Sequence, residues 1–363
     1  MFGNHDDLTS GSAQENEAQR LVGTVLSGKW RLDELIGMGG MASVYAATHR
    51  NGRRVAIKLL NLEFSRGAEV CERFLREGYV ANHVGHPGVV SILDDDTTAD
   101  GRAYLVMELL EGDSLLGRIQ KNQLTLAQVV FIGQQVLEPL GVAHRRGIIH
   151  RDIKPANVFV CEDGRVKILD FGLARLFEGN DTEPTNDGLV LGTAAYLSPE
   201  QASAGREAVD WRSDIYAVGA MLFYALSGSY VHEGDSQYDM LLAATKNPAR
   251  SLTSVLPKAP DKVVELVDRA LRYDPTERWQ CAEDMAEAGR AAFQQLTGAD
   301  IPATERTEVD GKKGWARAAL NPSALKAPQE GEEVIVHDDS IAMSVLFEPD
   351  VVTSPDLPVD IKK

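Results

Sequence analysis

The segment His150-Arg151-Asp152-Ile153-Lys154-Pro155-Ala156-Asn157, followed shortly by Asp170-Phe171-Gly172, constrains this chain more than any other feature. It places two carboxylates, an amide and an ammonium at a spacing suited to phosphoryl transfer. That reaction asks a protein for little covalent chemistry and much positioning of charge. Asp152 is the candidate base for an acceptor hydroxyl, and Asn157 and Asp170 are candidate ligands for a magnesium ion on the phosphates. Lys154, on the same loop, can steady the group in flight. A polar turn between buried strands would have to produce all four groups at this spacing by chance.

Composition narrows the partners. The chain has 363 residues and a formal charge of −17, which argues against nucleic acid or an anionic membrane as primary partner, since both reward a basic surface. Cys71, Cys161 and Cys281 lie far apart without a Cys-x-x-Cys pair, so neither a zinc site nor a disulfide framework is indicated, and a reducing cytoplasm is expected. Residues Met1 to about Gln19 are polar and acidic, with no secretory pattern, and read as a flexible arm. The apolar run Ile215 to Leu226 is too short to span a bilayer and predicts a buried core helix, so no membrane span is expected.

Two lobes are predicted. From about Val25 to Leu110, short β-rich runs are broken by glycine turns, with one helix predicted over about 68–84. After Gly112 helices dominate: one begins after Thr125, and others run from Asp210 to Ser227, Lys262 to Leu271 and Ala282 to Leu296. Between the lobes, Ala103 to Glu108 reads as a buried strand leading into a hinge over Glu108 to Gly112, a place for a nucleotide base. Beyond about Thr297 the chain becomes acidic, and Glu330 to Asp360 holds nine Asp or Glu and no Lys or Arg, a composition that predicts disorder. A strand pair or docking element over 333–336 and 341–347 is the one organised piece expected there.

The run Ile36-Gly37-Met38-Gly39-Gly40-Met41-Ala42-Ser43-Val44 is a glycine-rich turn between strands, in which missing Cβ atoms let backbone N–H groups approach phosphate oxygens. A tight hairpin would use similar glycines. Val55-Ala56-Ile57-Lys58 then sets one ammonium in an apolar strand, a costly position unless phosphates and a carboxylate pair with it. Glu77 is the natural carboxylate, with Glu72 an alternative in another helical register.

With these residues assembled, the chain resembles the protein kinase superfamily, and more closely the bacterial serine/threonine kinases, over about Val25 to Leu296. Its motifs stand in family order, through Gly192-Thr193 and Ser198-Pro199-Glu200. The resemblance implies an α+β bilobal protein kinase fold: a small antiparallel β-sheet lobe with one helix (about 25–110) and a larger, mainly helical lobe (about 112–297). A flexible arm would precede it (1–24) and a disordered acidic tail follow (298–363). It implies catalytic roles for Asp152, Lys154, Lys58 and Glu77. ATP would be held by residues 36–44 and by Ala56, Lys58, Glu108, Leu110 and Phe159, with Mg²⁺, or Mn²⁺ in its place, on Asn157 and Asp170. It also implies structural roles: Glu200 pairing with Arg278, Asp214 anchoring the loop near His150, and His150 and Phe171 packing. Two departures look tolerable: Ala42 stands where a third loop glycine is usual, and Ser198 where alanine is. Lys154 and Thr193 resemble the serine/threonine branch rather than the tyrosine branch.

Arg151 beside the catalytic Asp152 implies a phosphothreonine switch in the segment after Gly172, where Thr182 and Thr185 are the candidates. Thr304 and Thr307 in the tail could meet a phosphothreonine-reading partner. Protein substrates bearing Ser or Thr are the expected partners, together with a transient homodimer for trans-autophosphorylation. The rival reading is a pseudokinase scaffold that binds nucleotide and partners without catalysis; the complete set of reacting residues disfavours it. A kinase of small molecules ranks third.

Overall fold

The computed structural model describes residues 7–171, 194–203, 209–234, 236–301, 304–309 and 312–317. Thr182, Thr185 and Thr193 therefore lie outside the described residues, as do 333–336 and 341–347.

Six strands form the small lobe: β1 (Val25–Leu26), β2 (Trp30–Met38), β3 (Ala42–His49), β4 (Arg54–Leu60), β5 (Ile92–Thr97) and β6 (Ala103–Met107). They pair antiparallel in the order β1-β2-β3-β4-β6-β5. Because successive side chains leave a pleated strand on opposite faces, alternation sorts the lobe into two cores. Tyr45, Ala47, Val55, Ile57, Leu59, Tyr104 and Val106 face one side with Trp30 and Leu32. Ala42, Ala56, Leu60, Ala103, Leu105 and Met107 face the other, with Phe74 of α2 (Ala68–Val84).

The amino-terminal arm differs from expectation. Residues Asp7–Arg20 form a helix, α1, and Ala18 is buried in the first of those cores, where the Tyr45 hydroxyl donates to the Ala18 carbonyl at 3.0 Å. Leu21 and Val22 pack behind it. The helix was hidden because a polar, weakly amphipathic sequence docks here through one small residue, one carbonyl and the Gln14 side chain on Glu63, none of which leaves a periodic signal.

The large lobe is built on α4 (Leu126–Arg145) and α6 (Trp211–Ser227), with α8 (Asp261–Ala270) and α9 (Ala282–Thr297) packed around them. Thr125 and Gln128 cap α4 reciprocally, satisfying donors at its first turn. Nearly every residue of α6 from Ser213 to Leu226 is buried, as the apolar run predicts. Among the described residues α4 alone is long and apolar enough to cross a membrane by length and composition, and most of it is buried within the lobe. The helices α3 (Leu115–Gln120), α5 (Pro199–Ala202) and α7 (Gln237–Lys246) complete the lobe. A three-stranded sheet of β7 (Gly112–Ser114), β8 (Val158–Cys161) and β9 (Val166–Ile168) lies where the lobes meet. It carries the reactive loop.

Part of the segment expected to be disordered is ordered. Strands β10 (Thr304–Val309) and β11 (Lys312–Arg317) pair antiparallel, with Val309 opposite Lys312. Asp310-Gly311 between them is a dipeptide that two-residue hairpins favour, a local signal in a polar, highly charged stretch with no apolar alternation to mark strands.

Candidate active site

The reactive loop is held from below by one buried carboxylate. Asp214, in the first turn of α6, accepts the backbone N–H of His150 at its Oδ2 and that of Arg151 at its Oδ1, each at 2.8 Å. His144 Nε2 reaches the same Oδ2 at 2.8 Å. Burial would push the Asp214 carboxyl up, but the bonds from His144 and His150 outweigh it and hold the group below its ordinary range. These bonds also support Arg151 at a φ of 67°, in the left-handed region that a bulky side chain rarely adopts. Gln201 Nε2 donates to the Arg151 carbonyl at 3.0 Å.

His150 is wholly buried, and burial keeps its imidazole neutral by lowering its pKa. Its Nδ1 accepts the Asp152 N–H at 3.2 Å while Nε2 donates to the Leu169 carbonyl at 3.0 Å, which fixes the tautomer. The ring lies 4.6 Å from that of Phe171. Asp152 then meets two donors: Lys154 Nζ is 2.9 Å from its Oδ2, and Asn157 Nδ2 donates to the same oxygen at 2.9 Å and to the Asp152 carbonyl at 2.8 Å. With the amide nitrogen of Asn157 so engaged, its Oδ1 is the atom left to serve a cation. Paired with the half-exposed Asp170 carboxylate it makes a hard oxygen donor set, which fits magnesium.

The upper half of the site is looser. Lys58 on β4 stands opposite Val44 on β3 and Leu105 on β6. Its Nζ is 2.7 Å from Asp170 Oδ1 but 3.9 Å from Glu77 Oε1, and 5.8 Å from the Phe74 ring centroid. Burial pulls the Lys58 pKa down, yet the two carboxylates outweigh it and leave it raised. Burial raises Asp170 as well, and Lys58 more than reverses this. Glu77 receives too little of that charge: desolvation pushes it up to about 7. Asp170 itself holds a φ of 41°.

The helical register settles on Glu77, because Glu72 is exposed. Gly78 explains how α2 comes so close: a Cβ there would meet Leu105 Cδ2 at 2.8 Å. Asn82 fastens the end of the same helix, accepting the Ile92 N–H at 3.0 Å and donating to the Ile92 carbonyl at 2.8 Å.

The glycine-rich turn joins β2 to β3. Gly37, Gly39 and Gly40 all have ordinary negative φ, and a Cβ on Gly40 would meet nothing within 4 Å. The protein's own packing therefore does not require glycine at 40; the empty space is what an approaching ligand would use. Ile36, Met38 and Met41 are exposed along this turn, and Ala42 and Ser43 are buried. Ala56, Val44 and Leu110 share the apolar cluster on this face of the small lobe's sheet, and Phe159 stands opposite Ser114 in the sheet of β7 and β8. The Glu108 side chain is turned elsewhere: its Oε1 accepts from Lys167 Nζ at 2.5 Å and from the Ser91 N–H at 2.8 Å. The Glu108 N–H is also engaged, on the Ser91 carbonyl at 3.0 Å, so neither that donor nor the side chain is left for a base.

In the large lobe Arg278 is fully buried and all its donors are met. It grips Glu200 at 2.7 and 2.8 Å, and its other N–H groups reach the carbonyls of Arg212, Arg272 and Tyr273. Ser213 Oγ adds a bond to Glu200 at 2.6 Å. His144, Lys167, Gly78, Asn82 and Asn61, discussed below, escaped sequence reasoning; only a Glu-Gly pair facing a strand offered a hint, at Gly78.

Comparison with known proteins agrees with this geometry. The protein kinase domain pattern matches residues 30–288. Serine/threonine-protein kinase PknA of Mycobacterium tuberculosis is 37% identical over 312 residues, covering 84% of this chain and 69% of that protein. Serine/threonine-protein kinase PrkC of Bacillus subtilis is 36% identical over 275 residues, covering 75% of this chain and 42% of that protein. Among solved structures, the Mycobacterium tuberculosis PknI kinase domain superposes with a TM-score of 0.56 at 24% identity, covering 74% of this chain and 98% of that one, a likeness of fold. This chain belongs to the protein kinase domain family. Within it, the chain stands with the bacterial serine/threonine kinases.

Proposed function

We propose that this chain transfers the γ-phosphoryl group of ATP to serine or threonine hydroxyls of protein substrates, with Asp152 as the base. The observation that carries the reading is the setting of Asp152, whose one carboxylate oxygen is met by both Lys154 and Asn157 on a loop fixed by Asp214. In this reading Asp152 takes the acceptor proton as the new oxygen–phosphorus bond forms and the bond to the β-phosphate breaks, leaving ADP. Lys154 offsets charge on the moving phosphoryl group. Lys58 exchanges Asp170 for the α- and β-phosphates, and Glu77 orients it. Asn157 and Asp170 would hold Mg²⁺, or Mn²⁺, which neutralises phosphate charge when bound. The turn from Ile36 to Val44 covers the phosphates, and Ala56, Leu110 and Phe159 sandwich the base.

Arg151 supports a phosphorylation switch. Its Nε is buried without a hydrogen-bond partner among the described residues, and burial lowers its pKa. A phosphate on Thr182 or Thr185 would supply that partner, placed there in trans by a second copy of the chain. Mass spectrometry of the active protein should find phosphate between 172 and 193; an active chain unmodified there refutes the switch. Thr193 would help shape the acceptor pocket, and Thr304 or Thr307 would meet a phosphothreonine reader. A cytoplasmic setting suits three free cysteines.

The deciding experiment supplies radiolabelled ATP and a generic protein substrate to the wild type, Asp152→Asn and Lys58→Met. Label on Ser or Thr in the wild type alone is the expected result. ATP bound without transfer by all three would leave a scaffold instead.

A further inference from the structure

One residue that neither the motifs nor the mechanism uses touches the glycine-rich turn at several points. Asn61 follows the last residue of β4, and its own N–H donates to the Met41 carbonyl at 2.8 Å, continuing the ladder past the strand. Its side chain then turns back over the loop. Nδ2 lies 3.1 Å from the Gly40 carbonyl and 3.4 Å from that of Gly39, while Oδ1 accepts the Ser43 hydroxyl at 3.1 Å. Two carbonyls can be served only by a donor, so the orientation of the amide is fixed by its neighbours.

The consequence follows from peptide geometry. No cis peptide bond occurs among the described residues, and in a trans peptide the carbonyl of one residue and the N–H of the next point in opposite directions. Drawing the Gly39 and Gly40 carbonyls toward Asn61 therefore turns the N–H groups of Gly40 and Met41 away from it. Gly40 has open space where a Cβ would stand, so no other part of the protein crowds that side of the turn. Gly39 is tied as well, through its N–H to the Ala42 carbonyl at 2.9 Å. A turn rich in glycine would otherwise sample many conformations, few of which present two adjacent donors to one anion.

We propose that Asn61 is a positioning residue for ATP: by holding the Gly39 and Gly40 carbonyls it presets the Gly40 and Met41 N–H groups as a receptor for phosphate oxygens. The proposal rests on the reading that this turn covers the phosphates of ATP. Asn61 touches no substrate itself; it acts through the loop, lowering the ordering cost that nucleotide binding would otherwise carry.

The test compares the full-length wild type with Asn61→Ala and Asn61→Asp, measuring affinity for ATP and for adenosine, the split between KM for ATP and kcat, and Tm. Adenosine has no phosphate and serves as the internal control. Asn61→Ala should weaken ATP binding and raise KM roughly five- to tenfold, as expected for two neutral hydrogen bonds, while adenosine affinity and kcat stay near wild type. Asn61→Asp keeps the acceptor for Ser43 but sets a carboxylate against two carbonyls and nearby phosphates, so its loss should be larger. Unchanged ATP affinity in both variants overturns the proposal. So does an equal loss for ATP and adenosine, or a fall in Tm without change in KM, since either marks Asn61 as a structural residue only. A wild type that binds no ATP fails at the earlier step, the nucleotide reading, and that result is separate from any effect of position 61.

Discussion

The two halves of the site are built on different principles. Below the cleft, the loop from His150 to Asn157 is tied by hydrogen bonds that converge on one carboxylate, Asp214, and fix its backbone at two successive N–H groups, while the buried Arg151 Nε is left for a further partner. Above it, Lys58, Glu77 and Asp170 share too few charges: the lysine sits 2.7 Å from one carboxylate and 3.9 Å from the other. A backbone pinned by several converging bonds has one geometry, whereas an undersupplied set of charges redistributes when a new anion enters. The group that must be aimed is thus held by the first kind of structure. The groups that must accommodate an arriving nucleotide are held by the second.

The sharpest way to break this comparison is Asp152→Asn, which keeps the loop's shape and removes only the base. Transfer of radiolabel should fall by about 10²–10⁴-fold with Tm near wild type; a large drop in Tm would mean that Asp152 belongs to the scaffold. Arg278→Ala should show the reverse pattern. It leaves Glu200 buried without its partner, so thermal denaturation should reveal a loss of about 3–5 kcal/mol, with activity falling only as the lobe unfolds. In the upper half, Gly78→Ala forces a Cβ against Leu105, and a cost of about 1–3 kcal/mol is expected, along with reduced kcat as α2 carries Glu77 away from Lys58. Wild-type kcat in a stable Gly78→Ala chain would show that this pair need not be close.

The smallest effect is in pH. Glu77 has its folded pKa raised from 4.5 to about 7, so the stability it contributes is fully present below 4.5 and is lost as pH rises through 7. Chemical denaturation of the nucleotide-free chain across that window should therefore show a slope that Glu77→Gln flattens. Saturating nucleotide should flatten it too, by returning Lys58 to Glu77. A slope identical in wild type and variant would remove the charge shortage from the upper half.

What could be read in advance follows the same division. The order of motifs, α2 and the buried run of α6 were legible from periodic patterns and dense local motifs, whereas the roles of Asp214, Glu200 and Arg278 came with the family resemblance that those motifs carry. The docking of α1 through Ala18 was not, nor were Lys167 beneath Glu108 or the bonds made by Asn61 and Asn82. Each of these is a single polar or small residue whose meaning comes from a contact distant in sequence, such as Gln14 with Glu63 or Lys167 with Glu108. Hydrophobic periodicity says nothing about them. The pairing of β10 with β11 was hidden too, because its polar, charged strands carry no apolar alternation and only the turn between them gives a local signal.

The position of Asp214 in the chain has a consequence for how this protein comes into being. Every reacting group, from Lys58 to Asp170, is synthesised before the carboxylate that shapes their loop, which lies more than sixty residues beyond His150 and Arg151 in sequence. A nascent chain that has not yet extended into α6 therefore carries the whole chemistry without the carboxylate that anchors its loop. The loop's anchor is thus in place only after α6 has been made and has packed beneath it.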